Sequence, residues 1–153
     1  AVATVVNGGF LIEPTLYPRD KSYKTNAKLI TADVSKSMRY VMREVVKNGS
    51  GKKADVDGYN VIGKTGTADK PCITGGYCGR MTSFVGAFPG NDPEYVVLVS
   101  IDNPKGKKDV RGSSAYWNAA PAAGEIIKLI APQLNIPIQN NFNIFQEHAR
   151  ADN

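Results

Sequence analysis

The chain has 153 residues, of which 42% are hydrophobic, 22% charged and 8% aromatic, a composition typical of a folded, soluble polypeptide. This composition excludes a disordered tail and a fibrous repeat. The longest apolar run, Tyr95 to Val99, is far shorter than the ~20 residues that span a bilayer. No charged and apolar leader opens the sequence, so we expect any export signal to lie outside these residues.

Basic residues outnumber acidic ones by nineteen to fourteen, which gives a formal net charge of +5. Most of them are scattered, and the one cluster contains an aspartate and no aromatic residue. The cluster consists of Lys105, Lys107, Lys108 and Arg111. Because a charged loop of this kind is usually just solvated, nucleic acid is not an expected partner.

Two cysteines, Cys72 and Cys78, lie six positions apart in a glycine-rich segment. A metal site would need two more ligands close by, and the single histidine, His148, lies in the polar C-terminal tail. We therefore expect no metal and no other cofactor. A local disulfide and two free thiols both remain open, and the disulfide would require an oxidising compartment.

The first third of the chain predicts two helical segments. Residues 1 to 9 have the pattern of a helix end stopped by Asn7-Gly8-Gly9, and residues 10 to 15 then run extended. The clearest helix lies between an N-cap at Thr31 and a stop at Asn48-Gly49. Its apolar stripe at helical spacing comprises Val34, Met38, Val41, Met42, Val45 and Val46.

Three β-rich segments follow, at Tyr59 to Thr67, Met81 to Phe88 and Tyr95 to Asp102, with a Pro-Gly-Asn-Asp-Pro turn before the third. They predict an antiparallel meander. A last helix is expected from about Asn118 to Ala131, where Pro132 ends it. Its predicted buried side consists of Ile126, Ile127, Leu129 and Ile130. The predicted fold class is therefore α+β, a three-stranded antiparallel meander with flanking helices.

The segment from Gly58 to Thr65 matches the P-loop expression G-x-x-x-x-G-K-[ST]. A P-loop needs a flexible nest of N–H groups that leads directly into a helix facing the phosphates. The variable positions, 59 to 62, favour a strand instead, and Gly66 with Pro71 disfavours a helix at this point. Nucleotide binding is therefore kept only as a remote alternative.

If Val61 to Thr67 form a strand, alternation places Lys64 and Gly66 on one side of the pleat and Thr65 and Thr67 on the other. A cation and two hydroxyls can hold a substrate carboxylate, and a backbone N–H can stabilise an oxyanion. The missing side chain of Gly66 leaves room for a substrate backbone. These parts suit acyl transfer, and the alternative is a purely structural strand with a glycine beside a bend.

Several segments together resemble one protein family. They are Gly63 to Ala68 (GKTGTA), Thr82 to Pro89 (TSFVGAFP) and Tyr95 to Val99, with Asn7 to Phe10 and Pro14 upstream and Trp117 to Pro121 downstream. Up to about residue 137, the chain resembles the C-terminal part of a class B penicillin-binding protein, a peptidoglycan D,D-transpeptidase. Within that family it is closest to the division-specific septal enzyme of alphaproteobacteria.

The resemblance implies a fragment of the penicillin-recognising, β-lactamase-like serine transpeptidase fold, with residues 1–137 as the C-terminal portion of the transpeptidase domain. It implies a catalytic positive charge from Lys64, carboxylate binding by the hydroxyls of Thr65 and Thr67, and an oxyanion-hole N–H from Thr67. Gly66 would keep the strand open. Residues 138–153 are expected to form a loosely held polar tail, anchored only by Phe142, Ile144 and Phe145.

The implied function is peptidoglycan cross-linking during septation. The implied ligands are stem peptides and β-lactams, and the rest of the transpeptidase domain is the implied partner. The implied location is the periplasmic face of the bacterial inner membrane, reached through an N-terminal anchor that this chain lacks. In that oxidising compartment we expect Cys72 and Cys78 to form a disulfide.

Two of the family's three catalytic motifs are not in their place. The nucleophile motif S-x-x-K and the S-x-N motif both precede K-T-G in such enzymes. Ser50 to Lys53 spells S-x-x-K but lies in a polar turn, where no lysine is desolvated enough to act as a base. Tyr116 to Asn118 echoes the second motif, yet it follows K-T-G. We therefore expect a fragment that is inactive alone, and a non-catalytic binding or scaffold module is the alternative.

In the resembled fold a strand from earlier in the chain flanks Tyr95 to Asp102, and no residue here can supply it. We therefore also expect the fragment to self-associate, with Val34, Met38 and Val41 as a second contact surface.

Overall fold

The computed structural model describes residues 1–18, 27–105, 114–139 and 141–144. The helices are α1 (Val2–Val6), α2 (Ala32–Asn48) and α3 (Ala119–Ile130), and the strands are β1 (Ile62–Pro71), β2 (Tyr77–Phe88) and β3 (Tyr95–Asp102). Single turns of 3₁₀-helix occur at Lys52–Ala54 and Ala115–Trp117. The strands form one antiparallel sheet in the order β1-β2-β3, so the predicted α+β meander is confirmed.

Parts of two predicted segments lie outside the residues that the structure describes. The basic cluster beyond Lys105 and most of the polar tail, including Phe145 and His148, lie there. Of the expected tail anchors, Ile144 is fully buried, and Phe142 packs beside a small apolar cluster on α1, α2 and the sheet. No helix in the described ranges is long and apolar enough to cross a membrane.

The end of α1 has the predicted stop signal. The side-chain oxygen of Asn7 accepts from the backbone N–H groups of Gly9 and Phe10, at 3.1 and 2.9 Å. Gly8 and Gly9 have φ of 91° and 98°, the left-handed region that glycine adopts without strain. This turn leads the chain away from α1, and Phe10 then forms an isolated antiparallel bridge with Lys28.

Helix α2 has the predicted N-cap, and the three residues of its apolar stripe expected to form a second contact surface are exposed. The hydroxyl of Thr31 accepts from the N–H of Val34 at 3.3 Å, as a capping threonine does. The buried positions are Ser35, Arg39, Met42 and Val46, whereas Val34, Met38 and Val41 are exposed. Two of these buried side chains are polar and form hydrogen bonds, since Ser35 accepts from the N–H of Gly8 and Arg39 donates to the carbonyl of Asn91. Helix α2 therefore meets the rest of the chain along one edge of its apolar stripe.

The hairpin of β1 and β2 is longer than the sequence predicts. Strand β1 begins at Ile62 rather than Tyr59, because Gly58 and Asn60 adopt φ of 84° and 48° and turn the chain. Beyond Thr67 the two strands continue to a turn at residues 72–76, so β2 begins at Tyr77 instead of Met81. Their pairing runs without a register shift from Ile62↔Ala87 to Lys70↔Gly79.

Helix α3 packs largely through small residues, and only half of the predicted buried side is confirmed, namely Ile127 and Ile130. Ile126 and Leu129 are 38% and 65% exposed. The buried residues are Ala119, Ala120, Ala123, Gly124 and Ile127. A Cβ on Gly124 would lie 2.9 Å from the carbonyl oxygen of Lys53, so only a glycine allows this close approach. Small side chains thus bring α3 against the chain that precedes β1.

The two faces of the sheet are covered unequally. On one face, α3 encloses the larger core, in which Phe84 and Phe88 are fully buried. On the other face, a smaller cluster of Val6, Met42, Ile62 and Ala87 joins α1 and α2 to one end of the sheet. Beyond that end Leu98 remains 66% exposed. The uncovered part of this second face adjoins the K-T-G segment.

Candidate functional site

The K-T-G segment lies in β1, which pairs only with β2 among the described residues. Lys64, Thr65, Gly66 and Thr67 lie opposite Val85, Phe84, Ser83 and Thr82. Because no bulge interrupts this register, side chains alternate regularly between the two faces. The structure therefore places Lys64 and Gly66 on the partly uncovered face and the two threonines on the face that carries α3.

The charge of Lys64 is free of acidic partners in the part of the chain that the structure describes. Its side chain is exposed, and Nζ donates to the backbone carbonyl of Thr65 at 2.8 Å. The other lysine of this strand, Lys70, does form an ion pair and contacts both carboxylate oxygens of Asp102 at 2.7 Å. The ammonium group of Lys64 can therefore attract an anionic ligand at the edge of the sheet.

The two threonine hydroxyls contact different neighbours. The Oγ1 of Thr65 lies 2.6 Å from the Oγ of Ser50, in the turn that follows α2. The Oγ1 of Thr67 accepts from the N–H of Ala115 at 3.5 Å, a long and weak hydrogen bond. Thr65 is half-buried and Thr67 is exposed. Both hydroxyls thus lie near the free edge of β1 and retain capacity for a ligand.

Two glycines in and beside the motif have close neighbours above their Cα atoms. A Cβ on Gly66 would lie 2.7 Å from the Oγ of Ser83, so the serine hydroxyl borders the space above this glycine. The ring of Phe84 lies across Gly63 and Gly86, where added Cβ atoms would collide with it. This buried ring fixes the start of the motif strand against β2. The sequence pattern alone did not reveal the roles of Ser83 and Phe84, because both depend on cross-strand register.

The S-x-x-K sequence at Ser50 does not form a nucleophile and base pair. The ammonium group of Lys53 lies over the ring of Trp117, 3.8 Å from its centroid, and 5.0 Å from that of Tyr116. This is a cation–π arrangement, and the partner of Ser50 is Thr65 instead. Lys53 therefore holds the 3₁₀ turn before α3.

The Tyr-Trp-Asn sequence likewise has a structural role. The Oδ1 of Asn118 accepts from the N–H of Ala119 at the start of α3, and it also accepts from the hydroxyl of Thr82 at 2.6 Å. It thereby caps the helix and ties it to β2. The sequence-based expectation that these residues pack the last helix is in agreement with these contacts.

The P-loop interpretation of Gly58 to Thr65 is wrong. Lys64 and Thr65 lie within a ten-residue strand, and no helix follows them before β2. In an edge strand of an antiparallel hairpin, alternate N–H groups are used in the ladder and the others point outward along an extended backbone, so they do not converge on a phosphate as those of a nest do. The sequence thus matches the P-loop expression, but the backbone does not have the conformation of a P-loop.

Cys72 and Cys78 lie at the far end of the same hairpin. The structure joins their sulfur atoms in a disulfide, with the Cα atoms 5.3 Å apart. The turn between them is closed by a hydrogen bond of 2.9 Å from the N–H of Cys72 to the carbonyl of Gly76. The disulfide therefore staples the tip of the strand pair that carries Lys64 to Thr67.

Known proteins of one family match most of this chain in sequence. The penicillin-binding protein transpeptidase domain family matches residues 1–128. The chain is 38% identical to stage V sporulation protein D of Bacillus subtilis, over 92% of this chain and 23% of that protein. It is 36% identical to the probable peptidoglycan D,D-transpeptidase FtsI of Caulobacter vibrioides, over 89% of this chain and 25% of that protein. The chain thus spans about a quarter of the length of the curated relatives it matches.

Solved structures share the fold. The transpeptidase domain of Burkholderia pseudomallei penicillin-binding protein 3 matches with a TM-score of 0.76 and 28% identity, over 89% of this chain and 41% of that one. Penicillin-binding protein 3 from Mycobacterium tuberculosis, complexed with aztreonam, matches with a TM-score of 0.72 and 25% identity, over 92% and 35%. The fold is therefore part of the penicillin-recognising serine transpeptidase fold. The chain belongs to the penicillin-binding protein transpeptidase family, and its resemblance to the class B enzymes is confirmed.

Proposed function

We propose that this chain forms part of a serine-type D,D-transpeptidase that cross-links peptidoglycan stem peptides at the division septum. The observation that carries the proposal is the exposed edge strand β1, which presents Lys64 to Thr67 in a chain matching the transpeptidase domain. The name of the Caulobacter vibrioides relative supports the reaction type. The chain would supply the K-T-G strand of the active site.

The free edge of β1 explains how side chains from both faces could serve one ligand. A peptide or β-lactam lying along an edge strand reaches the residues of either face near that edge. Lys64 would attract the ligand's carboxylate, and the hydroxyls of Thr65 and Thr67 would bind it. The N–H of Thr67 would stabilise the oxyanion, and Gly66 would let the ligand backbone come close.

Catalysis would need groups that these residues do not contribute. A serine nucleophile with its lysine, and the S-x-N motif, would come from the rest of the transpeptidase domain. The enzyme would work at the periplasmic face of the inner membrane, anchored by a segment outside these residues. Residues 1–137 would then be the catalytic-domain portion and residues 138–153 its polar tail.

A fluorescent penicillin tests the proposal on two samples, the full-length protein and the 153-residue chain. We expect covalent label on the full-length protein and an unchanged intact mass for the chain alone, because orienting groups without a nucleophile form no acyl bond. If the full-length protein remained unlabelled, the chain would belong to a non-catalytic binding or scaffold module. An acyl adduct on the isolated chain would contradict its predicted inactivity and would make Ser50 a candidate nucleophile.

A further inference from the structure

Ser50 lies outside the K-T-G motif, yet its hydroxyl is 2.6 Å from the Oγ1 of Thr65. Its backbone position is fixed by the end of α2. The N–H groups of both of its neighbours, Gly49 and Gly51, donate to the carbonyl of Val45, at 3.1 and 3.0 Å. Ser50 is therefore held between two residues that are tied to the same point of the helix.

One arginine on α2 joins the segment after Ser50 to the residue just before β1. The guanidinium of Arg43 on α2 forms a two-pronged ion pair with Asp55, at 2.6 and 3.1 Å. The same guanidinium donates to the carbonyl of Val61, just before β1, at 2.9 Å. A planar, bidentate contact of this kind fixes orientation as well as distance. The turn that carries Ser50 is thus connected rigidly to the start of the motif strand.

The two hydroxyls can share their hydrogen bond in either direction, but only one direction suits carboxylate binding. A hydroxyl has one donor hydrogen and two acceptor sites. If Thr65 donated to Ser50, its oxygen would present only lone pairs to an incoming carboxylate. If Ser50 donates to Thr65, the hydrogen of Thr65 is free for the ligand.

We propose that Ser50 is a positioning residue that donates to Thr65 and thereby directs the hydroxyl hydrogen of Thr65 toward the ligand's carboxylate. This inference rests on the proposed function, in which Thr65 binds that carboxylate. Hydrogen bonds arranged in a chain also polarise one another, so the bond from Thr65 to the carboxylate gains strength. Ser50 itself does not touch the ligand.

The test measures second-order acylation rate constants of the full-length protein with a penicillin and with its methyl ester. We expect Ser50→Ala to slow acylation by the free acid about fivefold to tenfold, the value of one positioned hydrogen bond. Acylation by the ester, which lacks the carboxylate charge, should change less than about twofold by the same reasoning. Ser50→Thr keeps the donor and should restore the rate with the free acid.

A double-mutant cycle separates positioning from support of the fold. In a Thr65→Val background, Ser50→Ala should have no further effect, because the hydroxyl that it orients is gone. An equal loss for acid and ester, or a loss that persists beside Thr65→Val, would show that Ser50 only maintains the turn. A wild-type protein that reacts with neither compound would instead overturn the proposed function and with it this assignment.

Discussion

Lys64 and Lys70 lie six residues apart on the same face of β1, and their surroundings differ. Lys70 is paired with Asp102 on β3, and its side chain is 34% exposed. Lys64 bonds only to the neighbouring Thr65 carbonyl within the described ranges. A carboxylate that approaches the strand edge therefore meets an uncompensated charge at Lys64 and a compensated one at Lys70. This difference makes Lys70 a matched control for Lys64.

In the full-length protein, Lys64→Ala should slow acylation by penicillin at least ~10²-fold, the loss that follows removal of one preorganised electrostatic group. Lys70→Ala removes the same charge from the same strand and should change the rate less than about threefold, because a solvated ion pair contributes little. Stopped-flow or gel-based acylation kinetics give both rate constants. A loss below threefold for Lys64→Ala would show that its role in the strand is structural.

The position of helix α3 depends on how closely it approaches the 3₁₀ turn at Lys52–Ala54. Gly124 lies against the carbonyl of Lys53, and a Cβ there would also come within 3.2 Å of the Cα of Ala54. Both contacts are to backbone atoms, which cannot rotate away as a flexible side chain does. The helix must therefore move outward if this position gains a side chain.

We expect Gly124→Val to lower the free energy of unfolding by about 2 kcal/mol, as overpacking in a closed interface does. Lys128→Val introduces the same β-branched residue at an exposed position of α3 and should change stability by about 0.5 kcal/mol or less. Urea unfolding followed by circular dichroism compares the two variants. Equal midpoints would contradict the close packing of α3 against this turn.

The disulfide at the tip of the β1–β2 hairpin predicts how its two cysteines react with an alkylating agent. In protein purified under oxidising conditions, Cys72 and Cys78 should resist alkylation and become reactive after reduction. Closing so short a loop should stabilise the chain by about 2 to 3 kcal/mol if the bond is unstrained. Mass spectrometry with iodoacetamide, before and after a reductant, counts the free thiols. Two alkylated cysteines without reduction would rule out the disulfide.

Two apolar surfaces remain uncovered in the part of the chain that the structure describes. Strand β3 pairs on one side with β2 only, and its Val96 and Leu98 are 44% and 66% exposed. On α2 the exposed apolar residues include Val34, Met38 and Val41. Open strand edges beside apolar side chains tend to pair with another strand. These are the surfaces that the remainder of a transpeptidase domain would cover.

We therefore expect the 153-residue chain to self-associate by strand pairing or exchange. Light scattering at tens of micromolar should give a mass above that of the monomer. Leu98→Lys, which places a charge beside the open edge, should shift the chain toward the monomer. Ile73→Lys makes the same change at the fully exposed hairpin tip and should not.

A stable monomer would contradict this expectation if hydrogen exchange also protected both edges of β3. Protection on both sides would mean that the chain closes its own sheet. Loss of association in both lysine variants would instead indicate a general effect of charge on solubility rather than strand pairing.

The sequence predicts local structure well where one residue type has one conformational consequence. Asn7-Gly8-Gly9 ends a helix because glycine adopts a left-handed conformation, and Thr31 caps one because its hydroxyl reaches a free N–H. The alternation of Lys64 and Thr65 follows from the pleat of any regular strand. The family resemblance extends these local predictions to the whole fold.

The sequence by itself thus determined the class of fold, the order of its elements and the identity of the K-T-G strand. Only the tertiary structure decided which faces are buried. Ile126 and Leu129 fit an apolar helix face in sequence, but α3 turns its small residues inward because Gly124 can approach a backbone carbonyl. The contact between Ser50 and Thr65 likewise joins residues fifteen positions apart. Periodicity reports where side chains lie on one element, whereas burial and such contacts depend on what lies opposite, which no single segment encodes.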